Sequence, residues 1–296
     1  MLTRRHFLKQ TSTAALGGLA HTQLPLMDML KKKRTLGLQL FTLFPNLDQD
    51  VSGNLQKVAD LGIKDIESAF STKGGFYGMT AKEFKSMLND MGMKWRSHHV
   101  IGAPIKPNPK FDISKMPKMN TLKNETQLII DGMAESGVKY LVCANYPHDT
   151  LNEWKEGLEV IQKAGELAKK AGMTLAYHNH SSEFTVIEGQ VPYDLLCSQI
   201  SADILKLELD LAWANKAGMD PVALFNKYPG RFPLLHVKDF DKSFQNIKPV
   251  GEGVIDFQRI FAAAKIAGIK HFFIEHDMPA DAFVSIKSSV EYLKKM

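Results

Sequence analysis

The sequence predicts a single-domain (β/α)8 barrel, in which eight parallel strands alternate with helices. Three observations carry this. One helix-to-strand junction is written five times; three further apolar runs bring the strand count to eight; and no second block of different composition interrupts the 296 residues, a length that such barrels reach as one domain. The junction is a helix end, a glycine, an apolar residue and then an apolar run. Glycine just past a helix takes positive φ at little cost and lets the last carbonyls be satisfied, so the helix stops cleanly. The short apolar run that follows suits a parallel strand covered on both faces.

In chain order, the first strand is read at Thr35 to Leu40. The junctions at Gly62, Gly92, Gly137 and Gly172 then open strands two to five. Ile204 to Asp210 is the sixth strand. Leu234 to Lys238 is the seventh, entered through Pro229-Gly230-Arg231-Phe232-Pro233, and Gly268 opens the eighth. Between them, Thr80 to Met91 begins with a Thr-Ala-Lys-Glu capping box, Leu151 to Ala171 forms a long helix, and further helices start at Asp220-Pro221 and Asp256. A doubly wound open sheet is the competing architecture. It is disfavoured because no Gly-rich phosphate loop follows the first strand.

Residues 1–34 stand apart. Thr3-Arg4-Arg5-His6-Phe7-Leu8-Lys9, followed by the weakly apolar stretch Thr11 to Ala20, reads as a twin-arginine-type export signal and linker, with the barrel over 35–296. This predicts a periplasmic or otherwise exported protein that meets an export machinery. Of the 37 Lys and Arg, seven lie in residues 1–34 against one acid. The remaining 30 basic and 31 acidic residues nearly balance, which argues against a nucleic-acid partner. No apolar run is long enough to span a bilayer. Cys143 and Cys197 permit at most one disulfide, and each is more simply a small buried residue.

In a barrel of this kind the strand C-termini face the active site. The first four strands end at Gln39, Glu67, His98 with His99, and Asn145. The fifth runs into Tyr177-His178-Asn179-His180-Ser181-Ser182-Glu183-Phe184, the sixth into Glu208-Leu209-Asp210, the seventh into His236-Val237-Lys238-Asp239, and the eighth into Glu275-His276-Asp277. Carboxylates and imidazoles therefore concentrate on four adjacent strands. Burying carboxylates together is costly unless a cation neutralises them. His, Asp and Glu without thiolates are the ligand set of Mn, Mg, Zn, Co or Fe as a divalent ion.

Taken as a set, Tyr-His-Asn-His-x-x-Glu-Phe at 177–184, Glu-Leu-Asp-x-x-Trp at 208–213, His-Val-Lys-Asp at 236–239, Gly-Glu-Gly-x-Ile-Asp-Phe at 251–257 and Ile-Glu-x-Asp at 274–277 resemble the xylose isomerase-like TIM barrel superfamily, in its sugar phosphate isomerase/epimerase branch. The resemblance implies one metal held by residues of strands five to eight. By position, Asp210, His236 and Glu275 match. Strand five departs from the pattern, and His178 and Glu183 both remain open as its ligand. The resemblance further implies proton transfer beside a carbonyl through a metal-stabilised enediolate, with Glu275 and Glu183 as candidate acid and base and Lys238 holding a substrate oxygen. His99 and His180 are expected to contact substrate. Trp213 and Phe41 either stack on a sugar face or pack in the core. Export points to an unphosphorylated sugar or keto-sugar as the small-molecule substrate. Isomerisation or epimerisation is the expected outcome, and dehydration or keto-glycoside elimination the alternative on the same site. A non-catalytic sugar-binding barrel and a metal-dependent nuclease are the readings of other classes, the nuclease disfavoured by the near-neutral charge.

Overall fold

Eight short strands are hydrogen-bonded side by side, all parallel, and the last closes on the first. The computed structural model describes residues 35–106 and 119–296; the expected export signal lies outside the described residues. In chain order the strands are β1 (Gly37–Gln39), β2 (Asp65–Ser68), β3 (Lys94–Ile101), β4 (Tyr140–Asn145), β5 (Thr174–His178), β6 (Leu205–Asp210), β7 (Leu234–Val237) and β8 (His271–Ile274). Every strand lies beside its sequence neighbours, the order of a closed (β/α)8 barrel. Residues 36–296 form one compact unit.

The junctions behave as their glycines require. Gly137 and Gly268 cap their helices in the left-handed region at φ 65° and 82°. Thr80 makes the expected capping box, accepting from the Glu83 N–H while the Glu83 carboxylate accepts from Thr80 N–H. Leu151–Lys170 is a single helix, whereas the helical stretch expected from Asp256 is broken into Phe257–Ala262 and Ala264–Ala267.

Side chains of a strand alternate between the barrel interior and the helix layer. Val142, Ala176, Leu234 and Phe273 meet inside the barrel as a small apolar layer, separate from the larger core between strands and helices. Gly37 is required here. A Cβ on it would stand 2.5 Å from the Phe272 carbonyl oxygen and 2.6 Å from the Phe273 ring. Toward the N-terminal end, buried Asp65 pairs with Arg96 and His271, each at 2.8 Å. Two residues further along the same strands, every interior position on β5 to β8 turns polar. Both cysteines are free and buried, as small core residues are. Among the described residues, no helix is long and apolar enough to cross a membrane.

Candidate active site

Parity builds the site. On β6, Glu208 and Asp210 both face inward; Asp210 lies beside His236 of β7, and Glu208 beside His178 of β5. Glu275 follows β8 directly, its N–H bonded to the Val237 carbonyl. His236 stands at the centre and is fully buried. Its Nδ1 lies 2.7 Å from Glu275 Oε2 and 4.0 Å from Asp210 Oδ2. On the other edge of the ring, Nε2 lies 2.5 Å from Glu67 Oε1 and 3.2 Å from Glu208 Oε2. Gln39 fixes Glu67 by donating its amide N–H at 2.9 Å. His99 reaches the same two carboxylates, at 2.7 Å from Glu208 and 3.2 Å from Glu67, and His178 Nδ1 is 3.2 Å from Glu208.

Lys238 is buried one step nearer the mouth. Its ammonium lies 2.8 Å from Glu275, 2.9 Å from both oxygens of Asp277 and 3.2 Å from Asp210. Asp210 also caps the helix that follows β6, accepting the Trp213 N–H at 2.8 Å.

The charges do not balance with protein groups alone. Glu67, Glu208, Asp210 and Glu275 crowd around His236, and Asp210, Glu275 and Asp277 around the one lysine, Lys238. The interior compensates by holding protons. Burial favours neutral imidazole, yet Glu208, Glu275 and Glu67 keep His236 protonated well above its ordinary range. Burial likewise opposes the charged form of His99, but Glu67 and Glu208 raise it to about 9. Burial and the like charge of Glu67 push Glu208 up to about 7. His178 is the exception: burial and the positive His236 hold it well below the usual histidine range, leaving a neutral ring with a free lone pair.

Two buried carboxylate oxygens, Glu67 Oε2 and Glu208 Oε1, accept no hydrogen bond among the described residues, and Asp210 Oδ2 has only its ion pairs to Lys238 and His236. Buried acceptors without donors are costly. These orphaned oxygens and the excess of carboxylates fit a divalent cation. Two donor sets could hold one, sharing His236: Asp210, His236 and Glu275, or His99, His178, Glu208 and His236, each with donor atoms within 4.8 Å of one another.

The cluster opens on a cavity of about 560 Å³, within the range of small-molecule sites. His99, His178, His180, Lys238, Glu275 and Asp277 all line it. Trp213 does not: its ring packs against His180, Phe240 and the Lys238 ammonium, behind the site and not on its surface.

Glu183 is likewise not brought into the cluster. One oxygen accepts the Tyr177 hydroxyl at 2.9 Å; the other accepts the His180 N–H at 2.9 Å and the Ser182 hydroxyl at 3.0 Å. Fully engaged and buried, it braces the loop that carries His180. Expected as a ligand or base, it is here held in a positioning arrangement, with its oxygens engaged by its own loop and by Tyr177. Asp239 is similarly internal, accepting the N–H groups of Phe240, Gly251, Gly253, Val254 and Ile255. The sequence reading missed Glu67 and Glu208 as partners of His236. Asp277, beside Lys238, had been given no role.

Comparison with known proteins agrees with this fold. Residues 55–296 match the model of the xylose isomerase-like TIM barrel. The chain belongs to that family. A sugar phosphate isomerase/epimerase structure from Parabacteroides distasonis is 28% identical, with a TM-score of 0.74 over 88% of this chain and 93% of that one. Among curated proteins, an inosose dehydratase of Clostridium perfringens is 30% identical over 64% of this chain and 71% of its own length. An inosose dehydratase of Lacticaseibacillus casei is 27% identical over 43% of this chain, and the match spans about half (48%) of that protein.

Proposed function

We propose that the chain is a divalent-metal-dependent enzyme that moves a proton at a carbon beside the carbonyl of an unphosphorylated sugar or keto-sugar. The observation that carries this is the buried excess of carboxylates around His236, opening on a cavity at the C-terminal mouth of the barrel. Asp210, His236 and Glu275 would hold the metal, and His178 on β5 lines the same cavity. A metal-bound histidine ordinarily gives its other ring N–H to a carboxylate. Here Nδ1 faces Asp210 and Glu275, and the Nε2–H donates to Glu67. When bound, the cation supplies Lewis-acid polarisation of the substrate carbonyl and its neighbouring hydroxyl.

The chain's own groups do the rest. Glu275 lines the cavity and is the base that takes the proton from carbon. Lys238, bridging Glu275 and Asp277, offers an ammonium to a substrate oxygen that gains negative charge. Asp277 stands across Lys238 from Glu275 and also lines the cavity, so it replaces Glu183 as the second proton-carrying group. His99 and His180 orient hydroxyls. An unphosphorylated substrate is supported by the lining: among the described residues it holds no arginine, and its one lysine is already engaged by carboxylates.

Return of the proton to carbon gives isomerisation or epimerisation. Loss of a neighbouring substituent gives elimination, which the inosose dehydratase relatives favour, and Asp277 is placed to protonate the leaving oxygen. Export to the periplasm rests on residues 1–34 alone and is tested by cell fractionation. The chemistry is tested by incubating metal-loaded protein with a panel of keto-sugars in D2O. Deuterium appearing at carbon, and its loss in Glu275→Gln, is the expected result. No exchange with any member would remove this reading.

A further inference from the structure

The cavity has two unlike halves, and only one resembles a site for a sugar. The ends of β5 to β8 supply imidazoles, carboxylates and the ammonium. The opposite wall comes from the segments after β1 and β2 and is aromatic. Phe41 and Phe44 sit on the 3-10 turn that Gln39 caps, accepting the Phe41 N–H through its side-chain oxygen. Phe70 follows β2. The three rings pack mutually, with centroids 5.2 to 5.8 Å apart. Phe76 continues the wall, its ring edge-on to His98 at 5.1 Å. All four rings line the cavity and are only half-buried. At the rim stand Leu128 and Met278, 58% and 61% exposed. A contiguous apolar wall of this kind marks a surface that binds something.

A free monosaccharide leaves such a wall unused. Its hydroxyls need donors and acceptors, which the polar half provides and the aromatic half does not. A flat apolar group joined to the ring would instead bury against Phe41, Phe44 and Phe70 while the sugar faces Glu275 and Lys238. We infer that the substrate is a sugar ring carrying a bulky aromatic substituent, bound with the ring on the charged half and the substituent on the phenylalanine wall. This deepens the keto-sugar reading and rests on it for which end of the molecule reacts. The wall itself is read independently of the reaction.

The test therefore uses ligands that cannot react. Metal-loaded full-length protein is titrated calorimetrically with 4-nitrophenyl β-glucoside and with methyl β-glucoside, neither of which has the ketone. The aryl glucoside is expected to bind at least tenfold more tightly. In Phe70→Ala, and in Phe70→Leu, which keeps apolar bulk but not the flat ring, that ratio should fall severalfold. Thermal melting confirms that each variant is folded, and the milder leucine exchange keeps the test valid if the alanine variant is not. Equal affinities, no binding of the aryl glucoside, or a ratio unchanged in the folded variant would each overturn the inference. Failure of deuterium exchange on every keto-sugar bears on the reaction and leaves this ratio standing.

Discussion

Replacing Glu183 separates a brace from a metal ligand. The carboxylate accepts three hydrogen bonds, from the Tyr177 and Ser182 hydroxyls and the His180 N–H. Hydrogen bonds to a charged group contribute about 1.5–3 kcal/mol each, but deletions within one network are not additive and solvent can enter the loop. For Glu183→Ala we expect a loss of about 3 kcal/mol, and for Glu183→Gln about 2 kcal/mol, because the amide N–H2 would face donors on one side. In a domain of this size that lowers the melting temperature by roughly 4–12 °C. The assay is urea and thermal unfolding of chelated protein, so that metal linkage does not enter, with metal content measured separately after reloading. Both variants should be less stable without metal yet still take up metal. A variant that loses metal while its metal-free stability is unchanged would refute the brace and return Glu183 to the ligand set.

Chelation of wild-type protein should lower its melting temperature. A ligand at a hundred times its Kd stabilises the folded state by about 2.7 kcal/mol, so a shift of roughly 5–11 °C is expected on calorimetric scans; coincident scans would mean no resident cation. Gly37→Ala should destabilise by about 1–3 kcal/mol through overpacking, since its Cβ meets the Phe272 carbonyl at 2.5 Å, read as a lower urea midpoint at unchanged m. His98 carries a pH signature. Burial first, then the neighbouring positive His99, hold it down to about 3. The unfolded chain therefore binds one more proton than the folded chain between about pH 3 and 6.5, and the stability from neutral His98 is present above pH 6.5 and lost toward pH 3. His98→Asn should flatten that acid limb by up to about 1.4 kcal/mol per pH unit; an identical pH profile in the variant would contradict this.

The barrel was legible because its signals are local. A glycine that ends a helix and an apolar run of strand length are readable at Gly137 or Gly268 without knowing what packs on them. Asp210, His236 and Glu275 were legible for a similar reason: each closes its strand and sits in a recognisable short motif. Glu208 was also within reach, since two residues before Asp210 is the same strand face. Glu208 and Glu67 were named at their strand ends without a role, because the pairing of Glu67 with His236 spans 169 residues and forms only in the closed barrel. What the sequence does not carry is where a loop carboxylate turns. Glu183 follows His178 by five residues and looked able to fold back, but the Tyr177 hydroxyl and the His180 N–H claim it. Trp213 looked like a stacking platform, yet helix capping by Asp210 sets it behind Lys238. The aromatic wall has no periodicity at all; Phe41, Phe70 and Phe76 come from separate irregular segments and meet only in the closed barrel.

The proposed chemistry depends on where a cation sits relative to His236. Anomalous diffraction from crystals loaded with Zn²⁺ locates it directly. A single peak within coordination distance of His236 Nδ1, Asp210 and Glu275, about 2.0–2.2 Å from each, is the predicted result. A peak on the Nε2 side, among His99, His178 and Glu208, or no peak at the barrel mouth, would contradict it.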